Sequence, residues 1–379
     1  QKMILSVFYL VNLTFSSISV QYFIYFMLEL CDNYFIGTIM EKNNKERVTL
    51  KDIAERAGVT VNSVSRALRG HKSISEVTKE KVRAIAKELG YIPDAQARLM
   101  RGAKLRVIAV VYDNIVNPYY SIMNNHLNNE LTKANYRPMV FFESSQDGTL
   151  SLEVAREIIS MRIVGVITYL VPTKEVIDLF EDHNVPIVLL GRTGDSLGID
   201  SVATNDYRGG KLAGYKLFDL GGKNFSYIGV TRSLNINKER LNGFLKALQN
   251  NDVAVPKSNI ILNDKRQSTR SLMEELDVKT KKIDSIFCFN DQIAYEVIGY
   301  LGDNGIKVPD DINVIGFDNL QSDIIYPIKL TTIDGDKPRA AHLALNILFS
   351  KIKNESDTEM TGKIVDVTLV EGKTTKMRK

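Results

Sequence analysis

Hydrophobic positions recur with two different periods along the chain. In the stretch TLKDIAERAGVTVNSVSRALRG (49–70), Leu50, Ile53, Ala54 and Ala57 fall at i, i+3, i+4 and i+7, one face of a helix. Thr49 and Asp52 fit a capping box at its start, and Gly58 suits the left-handed residue that ends it. Thr60 is placed to cap a second helix with Val61, Val64, Ala67 and Leu68 as its inner side and Val61, Asn62, Ser63, Ser65, Arg66 and Arg69 turned outward. Ser75 begins a third helix, lined by Val82, Ile85, Ala86 and Leu89 and closed by Gly90. Pro93 then breaks the chain, and Asp94 can cap a short basic helix through Met100 before Gly102.

From Arg106 the pattern changes to short apolar runs: 106–111, 138–142, 165–170, 186–190, 226–230, 285–289 and 312–317. Helical stretches separate them, including EVAREIISM, RGGKLAGYKLFDLG, RLNGFLKALQN and DQIAYEVIGYLGDNG. Buried strands alternating with helices predict an open, doubly wound parallel sheet, and the length calls for two lobes. Ligands of such sheets bind beyond the carboxyl ends of the strands. Asp113, Asn117, Arg192, Asn290, Asp291 and Asp318 stand at those ends. Such residues also cap helices, and Asp206 and Asp291 fit either role.

The charge is unevenly spread. Residues 45–106 hold 15 Lys and Arg against 7 Asp and Glu, while the remainder holds 34 against 38. A basic segment on a mildly acidic body points to a polyanion partner for the segment alone. Two short helices around a glycine form a helix-turn-helix, whose second helix can lie in a major groove. Asn can pair there with adenine, Arg with guanine, and an apolar side chain with a thymine methyl. No nucleophile elbow, dinucleotide fingerprint or phosphate loop is present, so no catalytic residue is expected. Neither the four histidines nor Cys31 and Cys288 has metal-ligand spacing, so no metal and no cofactor are expected.

Residues 3–28 carry no charge and are long enough for a bilayer span of about 20 residues, though diluted by Asn12, Thr14, Ser16, Ser17, Ser19 and Gln21. Three readings stand: a start assigned too early, with Met40 the natural beginning; a membrane anchor; or an amphipathic partner-binding segment. The first is favoured, and membrane attachment is not expected.

The motifs resemble those of the LacI/GalR family of bacterial transcription regulators from about Val48 to the end. VTLKDIAERAGVTVNSVSRAL is close to that family's DNA-binding signature, and KVRAIAKELGYIPDAQAR resembles its third helix and hinge. NPYY (117–120), ERLNGF (239–244), FNDQIA (289–294), VPDDINVIGFDN (308–319) and LTTI (330–333) follow in the family's order. Two motifs depart from it. Asn205-Asp206-Tyr207-Arg208-Gly209-Gly210 exchanges the first two residues of DN-x-x-GG, and Leu220-Gly221-Gly222 replaces LGH.

The resemblance implies a fold of the α plus α/β kind. Residues 1–46 would be a leader outside the native fold, 47–92 a three-helix helix-turn-helix headpiece and 93–103 a hinge helix. Residues 104–379 would form a two-lobed, periplasmic-binding-protein-like domain for effector binding and dimerisation. Its first lobe is expected over about 104–205 and 319–332, and its second over about 206–318 and 333–379. The implied function is a cytoplasmic repressor acting as a homodimer on a pseudo-palindromic operator under the control of a small effector, a sugar or related metabolite. DNA contacts are expected from Thr49, Thr60, Val61, Asn62, Ser63, Ser65, Arg66, Arg69, Ala97 and Met100, with Met100 as a minor-groove wedge. Effector contacts are expected from Asn117, Tyr119, Tyr120, Arg192, Arg240, Asn290, Asp291 and Asp318. The rival reading is a membrane-tethered solute-binding protein; an α/β enzyme stands further off. A basic headpiece and hinge over 47–103 argue against the first, and the missing phosphate loops argue against the second.

Overall fold

The computed structural model describes residues 48–93, 106–113, 116–143, 148–231, 234–263, 267–353 and 362–378. The leader over 1–46, the expected hinge helix from residue 94 onward, Ala97 and Met100 lie outside them. The chain divides into two compact units, residues 1–101 and 102–379.

The first unit contains α1 (Leu50–Ala57), α2 (Val61–Leu68) and α3 (Glu76–Glu88). Each begins on a hydroxyl cap: Thr49, Thr60 and Ser75. At Thr49 the capping box is complete, since the backbone N–H of Asp52 reaches the Thr49 hydroxyl and the Thr49 N–H donates to Asp52 Oδ2 at 2.7 Å. Gly58 takes φ 70°, which turns the chain sharply into α2. Ile53, Ala54, Ala57, Val64, Ala67, Val82 and Ala86 form the buried core. The small alanines let α1 and α2 approach closely.

The second unit holds two six-stranded sheets. The first runs β13-β7-β6-β4-β1-β2, from β1 (Val107–Tyr112), β2 (Arg137–Phe142), β4 (Val166–Thr168), β6 (Ile187–Leu190), β7 (Asp200–Thr204) and β13 (Gly362–Val365). The second runs β14-β12-β11-β10-β8-β9, from β8 (Phe225–Val230), β9 (Ile260–Asn263), β10 (Ser285–Cys288), β11 (Asn313–Phe317), β12 (Thr331–Asp334) and β14 (Thr368–Val370). A two-stranded pair, β3 (Thr149–Leu150) and β5 (Val171–Pro172), stands beside the first sheet. All strand pairs are parallel except β12 with β14.

Each sheet is covered on both faces, which explains the continuous apolar runs. Along β1, Ile108, Val110 and Tyr112 pack with α4 (Pro118–Lys133) and α11 (Lys337–Lys353). The alternate residues Ala109 and Val111 meet α5 (Leu152–Ser160) and α6 (Lys174–Asp182). In the second sheet, Ile286 and Val314 face α9 (Thr269–Leu276) and α10 (Asp291–Asp303). Phe287 and Ile315 face α7 (Asp206–Asp219) and α8 (Leu234–Gln249).

The sheets divide the C-terminal segments differently from the expected lobes. Residues 331–334, placed in part with the first lobe, form β12 in the second sheet between β11 and β14. Residues 337–353, assigned to the second lobe, form α11, whose Ala341, Ala344, Leu345 and Leu348 bury against the first sheet. Residues 362–365 pair with β7 of that sheet. The chain therefore crosses between lobes after β7, after β12 and after β13. The correction has a physical source: α11 presents a small-residue apolar face that the first sheet requires, while the polar strand TTID completes the second.

Candidate functional site

Two groups of side chains carry the expected chemistry, one in each compact unit. In the first unit, α2 buries Val64 and Ala67 and leaves Asn62, Arg66 and Arg69 exposed. Val61, assigned both to the inner side and to the outward set, is 45% exposed. Five of the expected DNA contacts, Thr49, Thr60, Ser63, Ser65 and Arg69, are already engaged inside the unit. The Thr49 hydroxyl caps α1, and the Thr60 hydroxyl caps α2 through Ser63 N at 3.1 Å and Ser63 Oγ at 2.9 Å. Arg69 folds back on its own helix, with Nε 3.0 Å from Ser65 O and its terminal nitrogen 3.2 Å from Ser65 Oγ. Val61, Asn62 and Arg66 are the uncommitted members of the outward face.

In the second unit the chemistry centres on Arg240 of α8, which is 7% exposed. Its Nε donates to Asp206 Oδ1 at 2.8 Å, a terminal nitrogen donates to the Phe289 carbonyl, and the other lies 3.6 Å from Asp318 Oδ1. The guanidinium carbon sits 3.4 Å from the Phe317 ring centroid, a stacked cation–π contact. Burial pushes Asp318 up to about 6 despite Arg240 and Lys337, and raises Asp206 as well. Arg240 therefore holds two carboxyl groups that would otherwise be costly to bury. Asn205 caps α7 through Arg208 N, so the exchanged Asn-Asp order leaves Asp206 free to face Arg240.

Asp318 has φ 106° and Asn319 φ 47°, an uncommon backbone for non-glycine residues. Three groups hold it. Lys337 Nζ donates to the Asp318 carbonyl at 2.6 Å and the Asn319 carbonyl at 3.1 Å. Asn319 Nδ2 donates to Asp334 at 3.0 Å. Asp291 accepts from Leu320 N at 2.8 Å and from the Thr332 hydroxyl. Asp291 is fully buried with both oxygens engaged inside the lobe, and burial raises its pKa well above the usual range. It supports the loop rather than presenting a free carboxylate to a cleft. Asn290 and Asn117 are the N-caps of α10 and α4, bonding Ile293 N and Tyr119 N.

On the opposite lobe, Tyr112, Tyr119, Tyr120 and Tyr169 form an aromatic basin with neighbouring ring centroids 5.0–5.7 Å apart along Tyr119–Tyr120–Tyr169, Tyr120–Tyr112 and Tyr112–Tyr169. Tyr119 lies within electrostatic reach of Asp318, Arg240 and Asp206, so the basin faces the arginine cluster. A cleft of about 470 Å³ adjoins them between the lobes, lined by Arg192, Thr204, Asp206, Lys238 and Glu239 among others. The structure thus brings Tyr119, Tyr120, Arg240 and Asp318 together, puts Arg192 at the cleft, and gives Asn117, Asn290 and Asp291 supporting bonds. Sequence reasoning missed Tyr112 and Tyr169. Their one signal was a polar-tipped aromatic at the carboxyl end of an apolar run. Among the described residues no group of three or more His, Cys, Asp or Glu could hold a metal ion, and no helix is long and apolar enough to cross a membrane.

Comparison with known proteins agrees with both units. Residues 49–94 match the family described as bacterial regulatory proteins, lacI family, and residues 216–375 match the periplasmic binding protein-like domain. The chain is 30% identical over 338 residues to the HTH-type transcriptional regulator MalR of Clostridium butyricum, covering 86% of this chain and 98% of that one. It is 30% identical over 310 residues to the HTH-type transcriptional repressor PurR of Actinobacillus pleuropneumoniae serotype 3, covering 80% and 91%. Its fold is similar to that of the Lac repressor dimer bound to operator and the anti-inducer ONPF. The TM-score is 0.73 at 24% identity, over 87% of this chain and all of that one. The regulator CelR in complex with cellobiose gives a TM-score of 0.62 at 21% identity, over 86% and 100%. A helix-turn-helix unit joined to a two-lobed ligand-cleft domain defines a class of DNA-binding transcriptional regulators. The chain belongs to the lacI family of that class.

Proposed function

We propose that the protein is a cytoplasmic, homodimeric repressor whose operator affinity is set by a sugar or related metabolite held between its two lobes. The observation that carries this reading is the pairing of an uncommitted Val61–Asn62–Arg66 face on α2 with a buried Arg240–Asp206–Asp318 cluster opposite four tyrosines. Asn62 and Arg66 read base edges in a major groove, Val61 meets a thymine methyl, and the surrounding lysines and arginines neutralise phosphates. Thr49, Thr60, Ser63 and Ser65 order the helix termini and side chains that present this face, while Arg69 sits at its edge. Ala97 and Met100 belong to the proposed hinge, where Met100 wedges into the minor groove.

In the second unit, Tyr119, Tyr120, Arg192, Arg240 and Asp318 contact the effector, and Asn117, Asn290 and Asp291 hold the loops and helix starts that carry them. An effector that binds the two lobe arrangements unequally shifts the equilibrium between them and thereby changes DNA affinity. The protein performs no catalysis in this scheme.

The test is a gel-shift titration of the purified chain against duplexes selected from a random pool, with and without glucose, maltose, cellobiose, ribose and hypoxanthine. Recovery of a pseudo-palindromic sequence whose affinity changes with one of these compounds supports the reading. Selection of no sequence, or affinity that is insensitive to salt, counts against it.

A further inference from the structure

Among the described residues the buried hydroxyls of Tyr112 and Tyr169 have no hydrogen-bond partner. Lys337 is the opposite case, a buried cation whose named contacts all lie in the other lobe. It is 3% exposed and is the first residue of α11, the helix that packs on the first sheet. Its Nζ reaches into the second lobe, to the Asp318 carbonyl at 2.6 Å, the Asn319 carbonyl at 3.1 Å and, as an ion pair, Asp334 Oδ1 at 3.8 Å. It also stands within electrostatic reach of Asp291.

The position is unfavourable for a lysine. An ammonium loses hydration when buried, and the first turn of a helix is the positive end of its dipole. The helix does not need it as a cap. Asp336 fills that role, its Oδ1 accepting from Arg339 N at 3.1 Å and its carbonyl from Ala340 N at 3.0 Å. What the lysine holds is the backbone at Asp318 and Asn319, with its φ of 106° and 47°. A second contact joins the same loop to the first lobe: His126 Nε2 on α4 lies 3.2 Å from Asp323 Oδ1, though not aligned as a hydrogen bond. Gly335, between Asp334 and Lys337, lies against Thr204 where the chain first crosses between lobes; a Cβ there would stand 2.9 Å from the Thr204 side chain.

We propose that Lys337 is a positioning residue that couples the Asp318 loop to the orientation of the first lobe, by locking the 318–319 backbone to the start of α11. Given the effector-controlled operator binding proposed above, on which this assignment rests, the path is short. Asp206 lines the cleft and accepts from Arg240, Arg240 pairs with Asp318, and the Asp318 carbonyl is held by Lys337. A ligand that disturbs this row of charges acts on α11 through one side chain. A stiff tie makes loop and helix move together, so that the two lobe arrangements differ in ligand affinity, which control requires.

The experiment compares full chains of wild type, Lys337→Met and Lys337→Arg. Methionine keeps an unbranched chain and removes the charge and the donors; arginine restores donors for the two carbonyls. The first readout is backbone amide exchange without ligand. In Lys337→Met the amides of Leu320, Ser322 and Ile324 and those of Arg339, Ala340 and Ala341 are expected to exchange faster together, by about tenfold, with α1–α3 unchanged and Lys337→Arg close to wild type. Acceleration confined to the loop overturns the assignment, because the tie would then not cross between lobes. Unchanged exchange in both segments overturns it, and so does acceleration throughout both sheets, which a general stabiliser of the fold would give. The second readout is affinity for a duplex selected from a random pool, with and without glucose, maltose, cellobiose, ribose or hypoxanthine. For a compound to which wild type responds, Lys337→Met is expected to keep the compound's Kd within about threefold while the ratio of duplex affinities with and without it falls about fivefold or more. A ratio equal to that of wild type, or a loss confined to compound binding, overturns the coupling role. If no duplex is selected, or no compound changes its binding to wild type, the effector-controlled reading fails, and the exchange measurement still decides whether Lys337 joins the loop to α11.

Discussion

Gly243 of α8 lies directly against the carbonyl of Tyr207 on α7: a Cβ at Gly243 would stand 2.0 Å from that oxygen. The contact is reciprocated, since a Cβ at Gly210 would stand 2.0 Å from the Arg240 carbonyl. The two helices therefore touch backbone to backbone, and this close approach places Arg240 within reach of Asp206. Gly243→Ala is expected to force the helices apart at a cost of about 1–3 kcal/mol. Differential scanning calorimetry should show a lower transition for the larger unit and an unmoved transition for the headpiece. Equal stability in the Ala variant would mean that the helix spacing is not set by these glycines.

Asp318 makes stability depend on pH. Its pKa of about 6 lies above the ordinary 3.8 because burial outweighs the attraction of Arg240 and Lys337. The folded state thus retains a proton that the unfolded chain has already released. Between about pH 4 and pH 6 the folded state binds more protons, so this group's contribution to stability falls as pH rises through that window. Asp318→Asn removes the contribution. The melting temperature of the variant relative to wild type should rise steadily from pH 4 to pH 6.5 and level off above it. A difference that is flat with pH would refute the assignment.

Arg66 stands exposed on α2 with none of its side-chain nitrogens committed to a named partner, unlike Arg69. Arg66→Ala should weaken binding to a selected operator by about 1–3 kcal/mol and relax base preference at one position of each half-site. Competition gel shifts with single-base operator variants provide the readout. An unchanged preference profile would show that another residue reads that base.

The Thr60 hydroxyl holds the first turn of α2 through Ser63. Thr60→Ala should destabilise the headpiece by about 1 kcal/mol, and Thr60→Ser should restore most of the loss. Hydrogen exchange of the α2 amides measures this directly. If the Ser variant restores stability but DNA affinity stays low, the threonine methyl itself touches the duplex.

Much of the architecture was legible along the chain because its signals are local. The caps at Thr49, Thr60 and Ser75, the turn at Gly58 and the helix bounds 50–57 depend on neighbours a few residues apart. So do the seven apolar runs, each of which forms a strand. The polar strands β7, β12 and β14 were missed because DSVAT, TTID and TLV carry no sustained apolar signal.

The candidate site divides in the same way. Arg240, Asp318 and Tyr119 were visible as polar residues in recognisable motifs, while Tyr112 and Tyr169 read as ordinary strand aromatics until the sheet set their rings side by side. That Asp291 is spent on Leu320 and Thr332 could not be read from its position after an apolar run. By itself the sequence determined a capped three-helix unit, two parallel sheets and the residue types available for recognition, all consequences of periodicity and short-range hydrogen bonding. Only the tertiary structure decided which lobe receives α11, which carboxyl groups are consumed by neighbours and which buried hydroxyls remain open. Those outcomes depend on three lobe crossings and on contacts between residues that lie dozens of positions apart, or for α11 more than two hundred, where no local pattern reaches.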